Sequence, residues 1–284
     1  MKRKLLPVIL LGAIILCSSA ALADGNFYSG GLWGTKITNL PYTISAPGSY
    51  YLGGNLSYAE GDGIHITCDN VTLDLMGFTL TGPGDTRTGI YVEGRKNVEI
   101  RNGTLTGWHA AIYDALGGTG YRIINIRAEG NDIGVYLIGW GHLIKSCQVT
   151  GGPSSTLGLY LYNQGTVTGC LLNNFSNAGI SVNKNGLISG NTVIGPTGAS
   201  SSGGINAGDG SLVMGNEVTN APKGINCSGA ASVIGNTVST NADQIGIIVP
   251  TTVPVVLDQN TVTGPGTHYQ GITEGVTVTR NNAG

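Results

Sequence analysis

The side chains that could do chemistry crowd into one stretch. Residues 60–145 carry 17 charged side chains, and residues 146–284 carry eight. Asp85, Arg87, Glu93, Arg95, His109 and Asp114 all fall in the first stretch. Removing a proton from a carbon acid takes a base, and a cation must neutralise the negative charge that develops beside it. These six residues include both kinds of group. Asp85 and Arg87 sit in a longer turn, 82–88, which could wall a groove. Tyr91, Tyr113, Tyr136 and Tyr160 recur at nearly even spacing, with Trp108 and His109 in a loop beside them. Aromatic rings in a row could carry sugar rings, or could simply stabilise the structure by stacking on one another. Each isolated charge also has a plain reading as a solvated turn residue. Asp74 and Arg101 are expected to meet as an ion pair, worth about 0–1 kcal/mol if exposed.

No metal centre is expected. Cys68, Cys147, Cys170 and Cys227 follow no zinc-ligand spacing. The first 23 residues are expected to be an export signal: Lys2, Arg3 and Lys4, an apolar run from Leu5 to Cys17, and Ala21-Leu22-Ala23 before Asp24. Without that segment the chain carries eleven basic and sixteen acidic residues, a balance that argues against nucleic acid as a partner. No later apolar run is long enough to predict a transmembrane helix.

Composition points to the elements that must hold these residues. Glycine makes up 48 of 284 residues, about one in six, while 11% are charged and 40% hydrophobic. Disordered chains are less hydrophobic and more charged. Collagen needs glycine at every third position. Helical bundles avoid so much glycine. What remains is a chain of short buried strands separated by many turns.

A phrase repeats: GIHI at 63–66, GIYV at 89–92, AIYD at 111–114, GVYL at 134–137, GLYL at 158–161 and GISV at 179–182. It continues as GINA at 204–207, GINC at 224–227, GIIV at 246–249 and GITE at 271–274. The steps average about 23 residues. A second phrase follows in most periods, as NVTL at 70–73, LISGNTV at 187–193 and SVIGNTV at 232–238. Each period thus holds about three strands of alternating pattern, and none shows helical periodicity. One coil cannot bury its own apolar face, so coils must stack, about 4.8 Å apart, around a continuous core. The fold class predicted is all-β, a parallel β-helix of about ten rungs. Residues 24–57 read as a lead-in or cap and residues 58–284 as the helix.

Stacked coils turn equivalent positions into columns. The outward column of the first strand is predicted as His65, Tyr91, Tyr113, Tyr136, Tyr160, Ser181, Asn206, Asn226, Ile248 and Thr273. A turn column holds Cys147, Cys170, Asn191, Asn216, Asn236, Asn260 and Asn281, which reads as an asparagine ladder headed by two stacked cysteines, expected as free thiols or, in an oxidising compartment, as a joined pair. His109 and His142 are expected in turns or at the rim. The sequence stops after a half rung at 276–284, so its open end is expected to pair with a partner or with itself.

These repeats resemble the right-handed parallel β-helix proteins of the pectate-lyase-like superfamily. The stretch at 179–264 is similar to their carbohydrate-binding and sugar-hydrolase repeats, and LPYTISAPGSYYLGGNLS at 40–57 is similar to the lead-in of secreted bacterial members. The resemblance covers about residues 37–284. It implies a right-handed, single-stranded helix with substrate on the outward tyrosine face, and calcium only if the chain is a lyase. The sequence has neither the acidic-pair and Gly-His-Gly motifs of polygalacturonases nor the arginine motif of pectate lyases. Its turns are also short. The leading expectation is therefore an exported, non-catalytic protein that binds polysaccharide or is displayed at the envelope. A lyase, hydrolase or epimerase on uronate polymers is the alternative, and a periplasmic protein-interaction module the second.

Overall fold

The computed structural model describes residues 34–84, 86–152, 155–195, 203–272 and, for the backbone, 277–283. These residues form a right-handed parallel β-helix with no α-helix among them. None of them therefore forms a helix able to cross a membrane. Each coil contributes three strands. The first-phrase strands stack into one eleven-stranded parallel sheet, here called the tyrosine sheet, running from Tyr42–Ile44 through Ala110–Thr119 to Thr267–Gln270. The other two strands of each coil build two further stacks. These count as one 19-stranded network because Val98–Thr106, Arg122–Asn131 and Val255–Thr263 run through both. Residues 35–57, read from sequence as a lead-in, already pair as a coil: Thr43 is in register with His65, and Tyr50 with Leu73.

The inward positions of the tyrosine sheet are closed to solvent. Ile64, Ile66, Ile90, Val92, Val135, Leu137, Leu159, Leu161 and Ile180 are each 0% exposed. The repeated glycine before each inward aliphatic has a steric cause. A Cβ on Gly179 would strike the Gly204 carbonyl of the next coil and the side chain of Val193. Turn glycines serve differently: Gly215 has φ +61°, a backbone region that side chains resist.

The asparagine column forms as predicted from Cys147 to Asn260, while the side chain of Asn281 lies outside the described residues. Asn191 N–H donates to Asn216 Oδ1 at 3.0 Å, Asn216 N–H to Asn236 Oδ1 at 2.9 Å, and Asn236 N–H to Asn260 Oδ1 at 3.0 Å. Each amide also returns an Nδ2–H to a backbone carbonyl, as Asn216 does to Ile188 at 2.9 Å. The thiols join the same column: Cys147 N–H donates to Cys170 Sγ at 3.5 Å, and Cys170 N–H to Asn191 Oδ1 at 2.9 Å. All four described cysteines are free.

The last repeat is shifted from its predicted place. Thr267–Gln270, not GITE at 271–274, continues the tyrosine sheet, and Ile248 is in register with Gln270. The turn after Thr263 is only Gly264-Pro265-Gly266, so the strand begins at once. Tyr269 takes the place of the inward aliphatic and packs on the core. Thr273 lies outside the described residues, as do the signal segment and the tip of the C-terminal half rung. From Thr277 to Ala283 the backbone extends the neighbouring stack in register with Val255–Val262.

Asn216→Ala should lower stability by about 2–4 kcal/mol, because it strips the buried Asn191 N–H and the Ile188 carbonyl of their partners. Asn226→Ala, at a half-buried position with one 3.4 Å bond, should cost less than about 1 kcal/mol. Urea denaturation of both variants checks the contrast.

Candidate glycan-binding face

The outward column of the tyrosine sheet is an unbroken stack of rings. Register pairs His65 with Tyr91, Tyr91 with Tyr113, Tyr113 with Tyr136 and Tyr136 with Tyr160. Centroid separations along it are 4.9, 6.2, 5.1 and 4.6 Å. The rings become more parallel toward Tyr160, where the interplanar angle falls to 10°. Each contact is worth about 0.5–1.5 kcal/mol beyond its buried area. Face-to-face stacking covers the ring faces within the column. What the interior of the column offers to solvent is ring edges and hydroxyls, one per coil. Burial, followed by Glu93, raises the pKa of Tyr91; burial and Tyr113 raise that of Tyr136; burial and Tyr136 raise that of Tyr160. These three phenols therefore stay protonated at neutral pH and can both donate and accept hydrogen bonds.

Exposed apolar side chains flank the column where the strands leave the sheet. Leu116 is 62% exposed, Trp140 52% and Tyr162 39%. Their positions follow from a bulge. The register between the strands of Tyr113 and Tyr136 shifts between Asp114 and Gly118, which throws Leu116 outward. Gly139 is required beside it, because a Cβ there would run into the Gly118 carbonyl. Trp140, Tyr162 and Leu116 were not anticipated. Their signal is faint: each sits one to three residues past the repeated phrase, where sequence alone does not show which way a side chain points.

Asp114 holds that bulge together. It is fully buried, and its Oδ1 accepts from Leu116 N–H at 2.7 Å. Its Oδ2 accepts from Gly118 N–H at 2.9 Å and from Tyr121 Oη at 2.8 Å. A carboxylate so occupied and enclosed cannot reach a ligand, so its place in the predicted catalytic set is corrected to a structural one. Trp108 is likewise corrected. It is 2% exposed, its Nε1–H donates to the Leu80 carbonyl at 3.2 Å, and its ring fills space that a Cβ on Gly63, Gly82 or Gly89 would enter. It is a core residue and offers no surface to a sugar.

The remaining candidates fall on two opposite flanks. Beyond the strand exit, Arg95 Nη2 donates to Glu93 Oε2 at 2.8 Å, and His65 Nε2 lies 3.9 Å from the same oxygen. That last distance is within ion-pair range but too long for a hydrogen bond. At the strand entry, His109 Nδ1 lies 3.2 Å from Asp132 Oδ2, with both side chains about 40% exposed. Arg87 is one coil below, its carbonyl accepting from His109 N–H at 2.8 Å. Arg87 and Glu93 are six residues apart along extended backbone, so the two flanks are separated by about 20 Å. Asp85 lies outside the described residues. The turn that contains it starts beside a shallow cavity of about 360 Å³ lined by Ser57, Tyr58, Ala59, Glu60, Thr81 and Gly82. The expected pair of Asp74 and Arg101 is present at 2.8 Å, extended through Glu99 to Arg122. Among the described residues no cluster of three or more His, Cys, Asp or Glu side chains is arranged to hold a metal ion.

The family of the chain follows from this architecture. The family model "Right handed beta helix region" matches residues 62–221, and the chain belongs to that family. Among solved structures it is similar to an alginate lyase from Paenibacillus sp. FPU-7, at 13% identity and a TM-score of 0.63, covering 82% of this chain and 93% of the lyase. It is also similar to a periplasmic alginate epimerase, at 14% identity and a TM-score of 0.55, covering 78% of this chain and 65% of the epimerase. At such identities the likeness is one of fold. No curated protein matches the sequence.

His142, expected in a turn or at the rim, does lie in the turn between Ile133–Trp140 and Leu143–Lys145, but is 1% exposed behind the bulge. Tyr121 N–H donates to its Nδ1 at 3.2 Å, and its Nε2 lies 3.2 Å from the Ile138 carbonyl, an arrangement that suits the neutral ring. Burial lowers its pKa from 6.5. Below about pH 6.5 the unfolded chain therefore binds a proton that the folded chain resists, and stability falls as pH falls through that range. Urea midpoints at about pH 7.5 and about pH 5.5 should differ less in His142→Gln than in the parent protein. An unchanged difference would remove His142 from the acid response.

Proposed function

We propose that the chain binds an extended polysaccharide along the outward face of the tyrosine sheet, parallel to the solenoid axis, and does so without chemistry. The observation that carries this reading is the unbroken column from His65 to Tyr160, bordered by exposed Leu116, Trp140 and Tyr162. A coil rises about 4.8 Å, comparable with the length of one sugar unit in an extended chain. Each coil can thus present one phenol hydroxyl to each successive sugar, while the exposed rings at the border offer apolar contact. Apolar surface with a few well-placed polar groups is the usual make-up of a ligand site. The non-catalytic part rests on the disposition of the acid–base groups. Asp114 is consumed inside the fold, and the two flanking clusters are too far apart to act on one sugar bond.

A second reading takes the cluster of His65, Glu93 and Arg95 at the foot of the column as acid–base machinery for uronate polymers. What favours it is a histidine, a carboxylate and a guanidinium converging beside Tyr91. Export through the segment 1–23 belongs to both readings.

A glycan array followed by incubation with pectate and alginate separates them. The binding reading expects retention of at least one glycan, no rise in ultraviolet absorbance from unsaturated uronate, and loss of retention in the double variant Tyr113→Ala, Tyr136→Ala. Unsaturated product that disappears in Arg95→Ala would establish the second reading instead. No retention and no product would exclude the binding reading and the lyase form of the second.

A further inference from the structure

The aromatic column ends abruptly. Tyr160 stacks on Tyr136 at 4.6 Å through one face, and its other face points to the coil of Ser181, its register partner. Serine is too short to cover a phenol ring. In the next two coils the column continues as Asn206 and Asn226. The outward surface therefore steps down after Tyr160, leaving a ring face open toward a row of hydroxyl and amide groups. Asn206 is two coils from Tyr160, about 9.6 Å, so a slab one coil thick fits over Ser181 between the ring and the amide. Asn206 Oδ1 accepts from Asn226 Nδ2 at 3.4 Å, which leaves the Asn206 amide nitrogen as a donor.

We propose that this step is a subsite for an uncharged pyranose ring, stacked on the open face of Tyr160 and hydrogen-bonded by Ser181 and Asn206. This rests on the polysaccharide-binding reading above and adds the sugar class and the place where the chain is gripped. Stacking needs an open aromatic face, and within the ladder the faces are covered. The neighbouring polar groups are neutral. Lys184 and Asp209 are register partners of opposite sign in adjacent coils, and Lys223 lies at the other end of the strand one coil beyond Asn206, so the column positions that form the step are themselves uncharged. Tyr162, 39% exposed, lies two residues along the same strand from Tyr160.

Calorimetric titration of the full chain with gluco-, manno- and xylo-hexasaccharides, and with a hexamer of mannuronate, tests the assignment. At least one uncharged hexasaccharide should bind more tightly than the uronate. Ser181→Tyr should extend the ladder, fill the step and weaken that binding by about tenfold or more, with no fall in the thermal midpoint. Tyr160→Leu, which removes the ring but keeps an apolar side chain over Tyr136, should lose a similar factor. Unchanged affinity in both variants, or tighter binding of the uronate hexamer, would overturn the subsite. If a glycan binds in a manner that depends on Tyr113 and Tyr136 but ignores both variants, only the subsite falls. If none of the four binds and the array is also blank, the polysaccharide reading falls with it.

Discussion

Backbone hydrogen bonding between successive coils is the constraint on which the rest of this molecule depends. Each strand is paired in parallel, in register, with its counterpart about 23 residues away, as Tyr136 is with Tyr160 and Asn191 is placed beneath Asn216. A coil cannot slip by one residue without turning its aliphatics outward. Once the register holds, every position becomes a column with a spacing of about 4.8 Å. Rings in a column must stack, amides must bond, and a residue larger than glycine beside the next coil's carbonyl must collide. The aromatic ladder, the asparagine ladder and the repeated glycine are three consequences of one pairing rule.

That rule explains what could be read in the chain. The inward aliphatics, the column from His65 to Tyr160 and the asparagine column all follow from a recurring phrase and were predictable by residue number. The departures occur where a coil breaks the period. Asp114 ends the phrase AIYD in the place of an inward aliphatic, and reads as a surface acid until the bulge at 114–118 and the donors Leu116, Gly118 and Tyr121 are seen. Trp108 stands next to a histidine in a turn and looks exposed, yet three glycines from other parts of the chain leave it a slot in the core. The last coil begins at Thr267 because a three-residue turn cannot delay it to Gly271. In each case the deciding contact lies in another coil or in the length of a turn, neither of which a repeating phrase records.

The same geometry changes how the tyrosines bear on function. A row of tyrosines suggests a platform for sugar rings, but rings 4.6–6.2 Å apart cover one another's faces. The ladder's interior offers hydroxyls in single file, and open aromatic surface appears only beside it and at its end. Right-handed β-helix proteins share this scaffold with the alginate lyase and epimerase structures, but a scaffold does not transmit an activity. The binding reading rests on side chains of this chain alone, arranged by its own register.

Tyrosine-selective ¹³C NMR most directly tests whether that face is the binding surface. The protein, labelled at its tyrosine rings and assigned by single Tyr→Phe variants, would be titrated with whichever glycan the array retains. Binding on this face predicts shifts at Tyr113, Tyr136, Tyr160 and Tyr162, and none at the buried Tyr121 and Tyr50. Shifts confined to tyrosines away from the column, with the ladder signals unmoved, would contradict it.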